Sequence, residues 1–106
     1  MKKKYNKLVR DKIPEIIERN NETPHIRILD DEEFKIELEK KLYEEYQEVL
    51  LSEKEERLEE LADMIEVIKA LSEIENSNLE EVIEISKKKS LKRGAFKKKI
   101  YLEDVD

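Results

Sequence analysis

The sequence predicts an all-α fold, an antiparallel helical hairpin or bundle of about four helices, on three observations. Leu, Ile and Val recur at three- and four-residue spacing through most of the 106 residues, which is the period of one helix face. One Gly and two Pro serve the whole chain, too few turn residues for a β-sandwich or barrel. Charged residues make up 47% of the sequence, which suits helices with solvated faces, and the sustained apolar period argues against a disordered chain of the same charge.

The elements follow in order. A short helix fits residues 12–20, where Pro14 is tolerated in the first turn because its missing N–H has no intrahelical partner there, and Asn20-Asn21 ends it. Three later starts carry the capping-box pattern, an oxygen-bearing side chain with Glu three places on: Asp30 with Glu33, Ser52 with Glu55, and Ser77 with Glu80. They predict helices over 31–51, 53–75 and 78–92. Gly94 is suited to end the last of these. The β-branched stretches near 25–29 and 100–102 are expected to be brief extended pieces, with pairing between them allowed.

Two pairs of acids stand out against this pattern. Glu45 and Glu48 in EEYQE, and Glu60 and Asp63 in EELAD, are each three residues apart, so each pair shares a helix face. At about 100° per residue, Glu45 lies within about 20° of Leu38 and inside the stripe of Phe34, Leu38 and Leu42. Glu60 falls beside Met64, Val67 and Leu71. Burying such acids is costly unless a cation or partner compensates. The link near 51–54 is short, which forces the two helices antiparallel and brings the four acids to similar height. The second helix also carries Leu58, Leu61, Ile65 and Ile68 on another side, so it is expected to sit centrally and to need a further helix or subunit. Small size and this two-sided helix predict a homodimer or homotetramer.

Residues 1–106 read as a single domain. With no cysteine, disulfides and thiolate metal sites are excluded. The start MKKKYNKL lacks an apolar run and no stretch approaches membrane-spanning length, so the expectation is a cytoplasmic protein with no membrane partner. The net charge of −6 conceals basic ends and an acidic middle. Most such charge belongs to solvated faces, but basic ends beside an acidic metal centre also fit a polyphosphate. Carboxylate oxygens are hard ligands, suited to Mg²⁺ or Mn²⁺. The one histidine, His25, is remote from the acids and is expected to be structural or exposed. Tyr43, Tyr46 and Phe34 lie on or near the first acid-bearing helix, and Tyr46 is expected to fill core more readily than to stack on a base.

EEYQE at 44–48 followed by EELAD at 59–63 resembles the EExxE then ExxD signature of the MazG-like, all-α nucleoside triphosphate pyrophosphohydrolases. YNKLVRDKIPEII at 5–17 looks like the opening of a subgroup related to phosphoribosyl-ATP pyrophosphohydrolase, and KKKSLKRGAF at 87–96 looks like its closing Lys and RGGF element. The likeness spans nearly the whole chain. It departs in a short interval between the acid pairs and in Ala95, which replaces a second Gly. The resemblance implies Mg²⁺-dependent cleavage between the α and β phosphates, giving a monophosphate and pyrophosphate. It implies Glu45, Glu48, Glu60 and Asp63 as metal ligands and Glu48 as the base, with Glu44 the other candidate. Lys89 and Arg93, four apart on one face, are expected to bind phosphate, with Lys7, Arg10 and Lys12 further candidates.

Three alternatives remain open at this stage. One is phosphoribosyl-ATP hydrolysis, which the opening block disfavours. Another is a non-enzymatic helical interaction module whose acids are solvated or paired between subunits. Nucleic-acid binding through the basic ends is the third, and the acidic middle and lack of a recognisable motif weigh against it.

Overall fold

The computed structural model describes residues 3–106; Met1 and Lys2, part of the basic start, lie outside the described residues. The chain forms four helices: α1 (Ile13–Arg19), α2 (Asp31–Leu51), α3 (Lys54–Ile74) and α4 (Leu79–Arg93). The all-α expectation holds, with every boundary within one residue of the expected one. No strand forms among the described residues, so 25–29 and 100–102 do not pair with each other. The first of these stretches is instead tied to α2. Arg27 donates through Nη1 and Nη2 to the two carboxylate oxygens of Glu33, at 3.2 and 2.9 Å. That hydrogen bond, and then the guanidinium charge, hold the Glu33 carboxyl below its ordinary range.

The caps confirm one expected start and correct two. Asp30 accepts from the Glu33 backbone N–H at 2.8 Å and caps α2. The Ser52 and Ser77 starts are wrong. α4 is capped by Asn78, whose side chain accepts from Glu81 N–H at 2.8 Å. Ser77 instead closes α3: its N–H bonds Ser72 O at 2.9 Å while that of Asn76, at φ 59°, bonds Glu73 O at 3.1 Å. This left-handed stop satisfies carbonyls that the last turn leaves free. Asn21, at φ 61°, ends α1 by the same geometry, with Glu22 N–H on Ile17 O and Asn21 N–H on Glu18 O. Ser52 likewise serves the helix before it, since its hydroxyl donates to Val49 O at 3.2 Å, beside Arg57 Nη1 at 3.1 Å on the same carbonyl. α3 begins after Glu53 with no side-chain cap. A Ser in a short link of two residues, as at 52–53, or four, as at 75–78, lies close to the end of one helix and to the start of the next, and here the earlier helix takes it.

α3 is central. It packs along α2 as an antiparallel hairpin and, more sparsely, against α4, while α1 packs on no other helix among the described residues. The core is thin: Leu38, Val49 and Val67 are its buried apolar side chains, joined by buried Glu45 and Ser72. Leu38, Glu45 and Val49 lie on one face of α2, as the periodicity requires. The other stripe of α3 is uncovered, with Leu58, Leu61 and Ile65 all exposed. Tyr43 and Tyr46 are exposed as well and face each other with ring centroids 6.3 Å apart. The expectation that Tyr46 fills core fails in the protomer because its direction lies off the Leu38–Glu45–Val49 face. No helix among the described residues is long and apolar enough to cross a membrane.

Candidate metal centre

The short hairpin link sets the site. Near the end of α2 and the start of α3, Glu45, Glu60 and Asp63 each present a carboxylate oxygen, all within 4.8 Å of one another. Glu45 is buried, at 8% exposure, and the other two are half-buried. Octahedral Mg²⁺ at about 2.1 Å places its ligand oxygens about 3.0 to 4.2 Å apart. Oxygens within 4.8 Å of one another would have to draw closer around such an ion, a movement that carboxylate side chains can make by rotating. Three hard oxygen donors with no nitrogen or sulfur among them suit Mg²⁺ or Mn²⁺.

Electrostatics mark the same place. The Glu60 carboxyl is raised above its ordinary range, first by partial burial, then by the negative charges of Asp63, Glu45 and Glu48 and by hydrogen bonding to Glu45. A carboxyl under this repulsion gains when a cation replaces a proton. Glu48, the fourth expected ligand and expected base, is exposed and lies outside the three-carboxylate cluster, although its charge acts on Glu60. That leaves Glu48 beside the cluster with its oxygens accessible to water.

Basic side chains already lean on the acids. Arg10 Nη2 donates to Asp63 Oδ1 at 2.7 Å, and Lys7 Nζ to Glu44 Oε1 at 3.2 Å. Two of the three basic residues singled out in the opening block therefore reach the acid-bearing helices, although they lie 53 and 37 residues away in sequence. Lys12 supplies the backbone cap of α1 and forms no ion pair among the described residues. One participant was missed: Lys41 Nζ lies 3.5 Å from Glu44 Oε2 and 3.6 Å from Glu45 Oε1. Its three- and four-residue spacing to those acids was available in the sequence as a signal. Burial raises the Glu44 carboxyl, but Lys7 and Lys41 outweigh it and leave a net lowering. With its oxygens engaged by two ammonium groups, Glu44 is the poorer base of the two candidates.

Lys89 and Arg93 are exposed on α4, and residues 83–106 are exposed throughout. Among the described residues neither forms an ion pair with Glu45, Glu60 or Asp63, although α4 packs on α3. His25 is exposed, in keeping with a residue outside the site. No family model, curated protein or solved structure matches the chain.

Proposed function

We propose that the chain is a Mg²⁺-dependent nucleoside triphosphate pyrophosphohydrolase of MazG-like type, cleaving between the α and β phosphates and acting in the cytoplasm on the nucleotide pool. The observation that carries this reading is the meeting of Glu45, Glu60 and Asp63 across the α2–α3 hairpin beside an exposed Glu48. A bound Mg²⁺, for which Mn²⁺ can substitute, would polarise the phosphoryl oxygens and lower the pKa of an adjacent water. Glu45, Glu60 and Asp63 would hold the cation. Glu48 takes a proton from the water that attacks the α phosphorus. The bond from that phosphorus to the α–β bridging oxygen breaks, and pyrophosphate leaves with the bridging oxygen. Lys89 and Arg93, supplied by another protomer of a homo-oligomer, together with Lys7, Arg10 and Lys12, offset charge on the polyphosphate.

Turnover of a panel of ribo- and deoxynucleoside triphosphates with Mg²⁺ tests the reading, with Glu48→Gln and Asp63→Asn alongside. The expected result is Mg²⁺-dependent release of pyrophosphate and monophosphate, reduced at least about 100-fold in both variants, through loss of the general base in Glu48→Gln and of a metal ligand in Asp63→Asn. Orthophosphate as the product rejects α–β cleavage. No turnover across the panel, with no effect of Mg²⁺ on thermal stability, leaves a helical interaction module.

A further inference from the structure

We propose that residues 83–106 of one chain pack on the α2–α3 hairpin of a second copy of this chain, so that the folded unit is an arm-exchanged oligomer. This concerns the assembly alone and holds whether or not the site is a hydrolase. Surface area makes the first argument. A compact protein of this mass exposes about 6,300 Å², whereas the protomer exposes 10,341 Å². The excess is about 4,000 Å², while a standard interface covers about 800 Å² per partner. Only a large, interlocking contact recovers it. The radius of gyration of 18.1 Å, against about 13 Å for a compact domain of this length, gives the same result from shape.

The uncovered surface is concentrated. Up to Val82, α4 has half-buried residues; from Ile83 to the end, every residue is exposed. Leu91, Phe96 and Tyr101 are exposed by 89%, 98% and 87%, so the arm carries bulky apolar groups that their own chain leaves almost wholly uncovered. On the other side, Leu58, Leu61 and Ile65 form an uncovered stripe along α3.

Charge and reach identify the occupant. Residues 83–106 hold eight Lys and Arg against four Asp and Glu, whereas α2 and α3 together hold fifteen acids against six bases. A basic, apolar arm and an acidic hairpin with a bare apolar stripe are complementary, and both are present in every copy. The eleven helical residues from Ile83 to Arg93 span about 16 Å, and the thirteen beyond extend up to about 43 Å. That reach exceeds the roughly 31 Å of a 21-residue helix, so the arm can run the length of a neighbour's hairpin.

Two measurements decide it. Sedimentation equilibrium of the full chain is expected to give a dimer or higher multiple at 1 to 50 μM; a monomeric mass overturns the proposal. Because the chain contains no cysteine, Lys98→Cys accepts one nitroxide label. Labelled chain is then refolded with ¹⁵N-labelled wild-type chain. At least a twofold loss of amide intensity is expected over 58–65 of the ¹⁵N chain. An oligomer whose 58–65 amides stay sharp shows the arm elsewhere and overturns the proposal. So does broadening seen only when nitroxide and ¹⁵N share a chain, which means that the arm folds onto its own hairpin. Phe96→Asp with Tyr101→Asp is expected to shift the mass towards monomer, and an unchanged mass refutes the arm's role.

Discussion

Replacing Arg10 with Gln is expected to tighten the binding of a divalent cation, because Arg10 already occupies one of its ligands. The guanidinium donates to Asp63 Oδ1 at 2.7 Å, and both side chains are substantially exposed, at 56% and 41%. A cation coordinated by the same oxygen would sit within a few ångströms of Arg10 and repel it, so the ion pair must open before the metal binds. An exposed pair of this kind is worth about 0.2 to 1 kcal/mol. Removing the need to break it corresponds to about a 1.4- to 5-fold lower Kd at 25 °C. Titration with Mn²⁺, counting free ion by electron paramagnetic resonance, measures this without depending on turnover. Asp63→Asn serves as the control, and a marked weakening is expected there. An unchanged or raised Kd in Arg10→Gln refutes the competition, and a raised one assigns Arg10 to holding Asp63 in its binding orientation.

Other outcomes follow from the same geometry. Between the ordinary carboxylate range and the raised value of Glu60, only the unfolded form is ionised. Charging Glu60 therefore costs stability as pH rises through that interval, and a bound cation removes the cost. The Mg²⁺-induced rise in Tm is accordingly expected to shrink as pH falls into the interval, and a pH-independent rise refutes the role of Glu60. Asn78→Ala, measured by chemical denaturation, is expected to lose about 1 kcal/mol as a missing helix cap, while Ser77→Ala stays within about 0.5 kcal/mol; the reverse order would restore Ser77 as the cap. Gly94, at φ 84° and ψ 173°, has open space where a Cβ would lie, so Gly94→Ala meets only backbone strain, about 1 to 3 kcal/mol. A neutral Gly94→Ala would mean that the chain changes direction differently after α4.

The thin core and the acidic site are parts of one construction. Glu45 occupies a position on the Leu38–Val49 face that an apolar residue would fill in a helix built for stability alone. Arg10, Lys7 and Lys41 compensate the acids around it, while Leu58, Leu61 and Ile65 on α3 stay exposed. Under the proposed arm exchange, a protomer with so little buried apolar surface is expected to be stabilised through association, with an unfolding midpoint that depends on concentration.

Much was determined by the sequence itself. Helical period gave four helices and their bounds, because spacing along one chain decides which residues share a face. The same rule put Glu45 in the apolar stripe, and the short link near 51–54 brought Glu60 and Asp63 to it. Caps were legible where one polar residue stood alone at a boundary, as at Asp30, and misread where Ser competed with a neighbour, as at Ser52 and Ser77. Tertiary structure alone decided the rest. It left Glu48 outside the cluster, brought Arg10 to Asp63 across 53 residues, and left Tyr46 and the whole stretch from Ile83 uncovered. Helical periodicity fixes direction around an axis, but contact between distant segments depends on how the axes cross and where the chain leaves its own core.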